Sequence, residues 1–394
     1  MAKTKHLLTI NGGSSSVKFS IYGLESLDLQ LSGAVDHIGM EHGHIEISGT
    51  NYPTYKDESS SYENIAEAVK AVIKWLKDNS EQFPIAAIGH RLVQGGPKHR
   101  QPEAITSDLL KDLEQFVYLA PNHLPDEIRT IKTFQQAFPN IPQAACFDTA
   151  FHRDMPDWAK YYPLDPTYRD RGLMRYGFHG LSYEYILQKL TEDAPSIASK
   201  KIIIAHLGNG ASMAAVKNGI SVDTTMGISP TGGLVMSTRS GDLDPGVLLF
   251  LLKQEKFSPT QLDELLSKHS GLKAIAGISD VQALLKAEPH DHKAAEALTV
   301  FCYHAKKSIG ALAAAIGGLD MLVFTGGIGE HSAVIRERIC QDMEFMGIKL
   351  SKKLNKSYTE GISKKASKVA IKVLRTNEEL MIAQHTQKIL KHLL

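Results

Sequence analysis

Two stretches about half a chain apart follow one plan. "LLTINGGSSSVKFSI", from residue 7, and "IIIAHLGNGASMAAV", from residue 202, each read as an apolar strand, a glycine-rich turn with small hydroxylated residues, and a second strand. A strand–turn–strand unit used twice within 394 residues, more than one hydrophobic core usually supports, constrains the chain to two like domains. Glycines let the backbone approach a ligand closely, and turn amides and hydroxyls suit phosphate oxygens. The first turn is not a P-loop, because Val17 precedes Lys18 and a strand rather than a helix follows. Two unrelated glycine/serine hairpins would give the same pattern, so the rest of the chain has to decide.

Further apolar strand runs occur at "IAAIGH", "AACF", "MLVFTGG" and "VAIKVL", with helical patterns between them, which gives an α/β chain. Residues 62–78 place Ile65, Val69, Val72 and Leu76 on one helix face. Asp244 and Pro245 fit the N-cap and first position of a helix over 245–254, and Ser258, Pro259 and Gln261 fit a capping box. The formal net charge of +1 offers no field for nucleic acid or an anionic membrane. The weakly polar run "SIGALAAAIGGLDMLVF" is broken by glycines and Asp320 and reads as a buried helix followed by a strand, not a membrane span. A first strand close to the N-terminus leaves no room for a signal peptide, and Cys146, Cys302 and Cys340 lack CxxC spacing. The expectation is a cytoplasmic protein with reduced thiols.

Polar residues cluster behind the strands: His90 and Arg91 in "IGHRLVQGG", Asp148 and His152 in "CFDTAFH", Arg175 and His179 in "RYGFHGLS", Arg239, Asp242 and Asp244 in "STRSGDLDPG", and the turn of "VFTGGIGEHS". In open α/β folds ligands bind at the carboxyl ends of strands. Arginines clamp carboxylates and phosphates bidentately, and Asp, Glu or Asn oxygens hold Mg²⁺. The residue types converge on phosphoryl transfer, while no serine-hydrolase elbow, zinc-protease helix or Cys/His nucleophile pair is present. Structural alternatives stand beside these assignments. Asp244 reads as a helix cap, Arg91 and Arg239 singly as interdomain salt bridges, Cys146 as core filling, and His42 and His44 as part of a solvated hairpin.

The motifs taken together resemble the acetate kinase family, short-chain carboxylate kinases of the sugar kinase/Hsp70/actin superfamily. The resemblance runs from "INGGSSSVKFSIY" through "GHRLV", "FDTAFH", "YGFHG", "HLGNGAS" and "TRSGDLDPG" to "FTGGIGE" and "TNEELMIA", nearly the whole chain in order. It implies two duplicated actin-like (ribonuclease H-like) domains, residues 1–149 plus about 377–394 and residues 150–376, with an interdomain active-site cleft and most of the nucleotide site in the second domain. It further implies a homodimer and reversible, ATP/ADP- and Mg²⁺-dependent phosphorylation of a small carboxylate, with Mn²⁺ able to substitute.

By position, the resemblance makes Arg91, Asp148, His179 and Arg239 the catalytic set and surrounds the acyl group with Val93, Asn122, Phe178 and Pro230. It gives Lys18, Ser14, Ser16 and the run His206, Leu207, Gly208, Asn209, Gly210 to the phosphates. Asp280, Val281, Gln282 and the run Gly327, Ile328, Gly329, Glu330, His331 would frame the adenosine, and Asn11 with Glu378 would hold the metal. Several positions depart from the family pattern. Gln94 and His331 replace a usual His and Asn, Gln282 replaces an Arg on the adenosine side, and Asn122 replaces a Leu. These departures leave open the phosphoryl donor and the acceptor acid, which is acetate first, with propionate or a hydroxylated short acid as alternatives. A nucleotide hydrolase of the same superfamily is the distant alternative.

Overall fold

The computed structural model describes residues 4–393 except 14, 41, 51, 59, 60 and 358. The chain divides into two compact units, Met1–Phe151 with Asn377–Leu394, and His152–Thr376. In the first, an eight-stranded sheet runs in the order β5-β4-β3-β2-β1-β6-β8-β7. Its strands are β1 (His6–Gly12), β2 (Val17–Gly23), β3 (Leu29–Asp36), β4 (His44–Gly49), β5 (Tyr52–Asp57), β6 (Ile85–Leu92), β7 (Glu103–Ala104) and β8 (Gln143–Phe147). In the second, a five-stranded sheet runs β11-β10-β9-β12-β13. These are β9 (Lys201–Leu207), β10 (Ala211–Lys217), β11 (Ile220–Thr224), β12 (Met321–Thr325) and β13 (Ala370–Val373).

The duplication proposed from the turns is visible in the strand order. β3-β2-β1-β6-β8 and β11-β10-β9-β12-β13 are the same sequence of positions, an antiparallel meander followed by two parallel strands. The two glycine turns occupy equivalent places, joining β1 to β2 and β9 to β10.

Alternation along the strands loads both faces of the first sheet. Leu8, Ile10, Phe19, Ile21 and Ile88 pack with Val69, Val72, Trp75 and Leu76 of the helix Ile65–Asp78. Leu7, Tyr22, Ala87 and Ala144 face the other way, against Ala383 and Leu390 of the helix Glu378–Leu390. Small residues lie under that helix because it comes very close: a Cβ on Gly89 would sit 2.1 Å from Thr386 Oγ1. The expected caps are present. Asn64 accepts from Glu67 N–H, Asp244 from Gly246 N–H, and Ser258 and Gln261 form a reciprocal box. The run read as a buried helix and strand is the end of the helix His292–Ile316 followed by β12. Among the described residues no helix is long and apolar enough to cross a membrane, and all three cysteines are buried thiols outside any disulfide.

Candidate active site

In the first unit, β1, β6 and β8 are parallel neighbours, so their carboxyl ends deliver Asn11, Arg91 and, just beyond β8, Asp148 to one edge of the sheet. Asp148 is 1% exposed and lies against the Arg91 guanidinium, with Nη2 donating to Oδ2 at 2.5 Å. Nε donates to both carboxylate oxygens at 3.2 Å, and Nη1 donates to the Gly12 carbonyl at 3.2 Å. Burial alone would loosen the Arg91 proton, but the carboxylates of Asp148, Glu378 and Glu127 outweigh it and hold the guanidinium charged.

The C-terminal helix adds its first turn to the same edge. Asn11 Nδ2 donates to Glu378 Oε2 and to Glu379 Oε1, each at 3.2 Å. Burial, with Asp148 and Glu379 nearby, pushes the Glu378 carboxyl up to about 7 against the pull of Arg91 and Asn11. A buried carboxyl with acidic neighbours suits a cation. The oxygen donors of Asn11 and Glu378 match Mg²⁺, which keeps several waters and needs few protein ligands. Among the described residues no cluster of three or more His, Cys, Asp or Glu offers a metal cage.

One group at this edge is absent from the sequence-derived set. Glu127, on the helix Leu124–Ala137, accepts the Val93 N–H on both carboxylate oxygens at 3.1 Å. Burial pushes its carboxyl up to about 8, Arg91 notwithstanding. The signal lay in the spacing: Leu124, Glu127, Ile128, Ile131 and Phe134 form one buried stripe, in which an acid is out of place. Val93 is 3% exposed. Asn122, expected on the acyl group as well, is exposed in the turn before that helix.

The second unit presents its own convergence. His179 is the N-cap of the helix Gly180–Asp193 and has left-handed backbone angles, φ 59° and ψ 26°, a cost that a non-glycine residue bears when its position is fixed by its surroundings. His152, buried and held neutral with its ring pushed down to about 4 by burial, donates from Nε2 to the Phe178 carbonyl at 3.1 Å and pins that turn. His152 and Arg175 thus have structural work. Arg175 donates to the carbonyls of Thr224, Thr225 and Met226. Phe178 itself is 1% exposed.

The turn 208–210 is tight at its end. A Cβ on Gly210 would lie 3.2 Å from His179 Nε2 and 3.7 Å from Arg239 Nη1. Those two groups therefore border the same point of backbone. Arg239 Nη1 also donates to the Pro230 carbonyl at 3.0 Å, which places Pro230 beside it. A Cβ on Gly208 would lie 3.9 Å from both Gly327 N and His206 Nε2, so the glycines after β12 adjoin the β9–β10 turn. Gly326, at φ +76°, packs against Leu207, and its N–H donates to Glu330 Oε1 at 2.9 Å. Glu330 also accepts from Thr325 Oγ1 and Thr376 N–H. Its carboxylate fastens this turn to the chain beyond β13.

The remaining expected contacts are uneven. Asp280 caps the helix Val281–Ala287 through Ala283 N–H at 2.7 Å, and Val281 is 3% exposed, so its side chain belongs to the core. Leu207 is likewise wholly buried. Gln282, Gly327, His331 and Asn209 are exposed, and Ile328 and Gly329 complete the short helix Gly326–His331. Lys18 is exposed and lies opposite Asn11 in the β1–β2 register. Ser16 closes the first turn by accepting Gly13 N–H on its carbonyl at 2.7 Å. Ser14 lies outside the described residues.

The profile of the acetokinase family matches residues 6–384. An acetate kinase of Nitrobacter hamburgensis is 41% identical over 390 residues, covering 98% of this chain and 96% of that protein. An acetate kinase of Thermoanaerobacterium thermosaccharolyticum is 42% identical over 401 aligned positions, covering 98% and 99%. Among solved structures, the Porphyromonas gingivalis acetate kinase superposes with TM-score 0.86 at 38% identity, over 98% of this chain and 100% of that one. A propionate kinase from Francisella tularensis superposes with TM-score 0.90 at 34% identity, over the same shares. With its strand order duplicated and its motifs matched from end to end, the chain belongs to the acetokinase family.

Proposed function

We propose that this protein catalyses reversible transfer of the γ-phosphoryl group of ATP to a short carboxylate, acetate first, giving an acyl phosphate and ADP. The observation that carries the reading is the meeting of His179 Nε2 and Arg239 Nη1 over Gly210, beside the Gly326–Gly327 turn. An arginine and an imidazole around close-approach glycines form a binding point for phosphoryl oxygens.

A carboxylate oxygen attacks the γ-phosphorus in line, the bond from phosphorus to the β–γ bridging oxygen breaks, and ADP leaves with that electron pair. The acceptor is already ionised near neutral pH, so no general base is needed. Repulsion between two anions is the obstacle, and guanidinium groups offset it. Arg239 and His179 donate to the equatorial oxygens, while Arg91, held by Asp148, pairs with the acceptor. Lys18 and the turn 206–210 engage the phosphate chain, and residues 280–282 and 327–331 the nucleoside. Asn11 and Glu378 would hold Mg²⁺, which would supply further charge neutralisation when bound.

A hydroxylated short acid is the second acceptor, suggested by the polar Asn122 where the family pattern has Leu. The test is a panel of acetate, propionate, butyrate and glycolate with ATP, Mg²⁺ and hydroxylamine, scored as hydroxamate. The expected result is hydroxamate from acetate at the highest kcat/KM. Glycolate ahead of acetate by more than about tenfold would transfer the assignment to the hydroxy acid. ATP consumption without hydroxamate from any acid would favour a nucleotide hydrolase.

A further inference from the structure

We propose that Tyr183 and Ser212 are positioning residues that order the proton on His179, holding its ring as the Nε2–H tautomer so that Nε2 donates to the transferring phosphoryl group. The inference rests on the phosphoryl-transfer reading and adds to it two residues that touch no substrate.

The topology brings the parts together. Ser212 on β10 is the register partner of His206 on β9, so both side chains stand on one face of the sheet. The first turn of the helix Gly180–Asp193 lies over that face and supplies Ser182 and Tyr183 directly after His179. His179 Nδ1 is 2.8 Å from Ser212 Oγ, and the Tyr183 hydroxyl makes a short hydrogen bond to the same oxygen. Ser182 Oγ is 2.8 Å from His206 Nδ1. The two imidazoles stack with centroids 4.3 Å apart and planes 20° from parallel, which fixes the tilt of the His179 ring. Tyr183 and Ser212 are both wholly buried.

A hydrogen-bonded chain of this kind has two polarities. In one, Tyr183 donates to Ser212, Ser212 donates to His179 Nδ1, and the ring proton resides on Nε2. In the other, Nδ1–H donates to Ser212 and Nε2 presents a bare lone pair. Two features select the first. The Tyr183 phenol, a stronger acid than an aliphatic alcohol, is the better donor of the pair, which leaves the Ser212 proton available to His179 Nδ1. In addition, His179 Nε2 and Arg239 Nη1 border the same point above Gly210. Guanidinium only donates, so an anion held there would be repelled by a lone pair on the second nitrogen and attracted by an N–H. The relay thus makes the imidazole and the guanidinium act with the same sign.

The tautomer can be read directly. In wild-type enzyme labelled with ¹⁵N-histidine, a two-bond ¹H–¹⁵N correlation spectrum at neutral pH distinguishes the two neutral forms, with His179→Gln used to assign the signal. We expect His179 protonated at Nε2 and bare at Nδ1; the Nδ1–H form, or a doubly protonated ring, overturns the proposal. In Tyr183→Phe and Ser212→Ala we expect a mixture of tautomers. Their kcat should fall roughly tenfold or more, with KM for ATP and acid within about twofold, since the loss falls on the transition state. Wild-type spectra and turnover in both variants would also overturn it. Acyl phosphate production by the wild type is assayed separately. Its absence would sink the reaction reading, whereas product formed with the wrong tautomer would sink only the relay.

Discussion

Arg239 and His179 act, on this account, as donors aimed at charge that develops during transfer. Removing one such donor costs about 3–4 kcal/mol of transition-state stabilisation. Arg239→Ala and His179→Ala should therefore lower kcat by two orders of magnitude or more while retaining a cooperative melt; near-wild-type turnover in either would refute the assignment. Glu127 makes a different prediction, about stability. Its folded carboxyl is raised from an ordinary 4.5 to about 8 by burial, so between those values the native state binds the proton more tightly than the unfolded chain. Its contribution is fully present below pH 4.5 and is lost as pH rises toward 8. Glu127→Gln should accordingly be more stable than wild type at about pH 8, by roughly 2–4 kcal/mol, and nearly equal to it below pH 5. Denaturant melts at the two pH values check this, and an equal difference at both would contradict it.

At the scale of elements, most of what positions the site is written locally. The strand runs, the N-caps at Asp244 and Ser258 and the two glycine turns depend on residues within a few positions of one another, and the structure has them where the pattern places them. The duplication was legible because the turns kept their chemistry in both halves. What could not be read is which side chains face each other across elements. Glu127 reaches Val93 over 34 residues and Ser212 reaches His179 over 33, and both contacts require the final docking of helix on sheet. The burial of Asn122 and Val281 was equally illegible, one being exposed and the other in the core. The turns are also where an element is most sensitive. Gly326 has φ +76°, and a Cβ there would sit 2.8 Å from the Leu207 carbonyl oxygen. Gly326→Ala should cost roughly 2–3 kcal/mol of stability in a melt, whereas an unchanged melting temperature would show that the turn is not constrained.

For the whole molecule, one surface feature asks for a partner. The helix Pro245–Lys253, "PGVLLFLLK", buries none of its residues within the chain, leaving Leu249 51% and Phe250 53% exposed. We propose that a second copy of the chain covers this apolar face, the homodimer that the family resemblance implies. Phe250→Glu should turn a dimer into a monomer in analytical ultracentrifugation, and a monomeric wild type would refute this. Passage of phosphorus from nucleotide to carboxylate is followed by ³¹P NMR of the wild-type enzyme with ATP, Mg²⁺ and acetate. The γ-phosphate signal should be replaced by an acyl phosphate resonance in step with ADP; ADP accompanied only by inorganic phosphate, with acetate and every other short acid tried, would refute carboxylate phosphorylation.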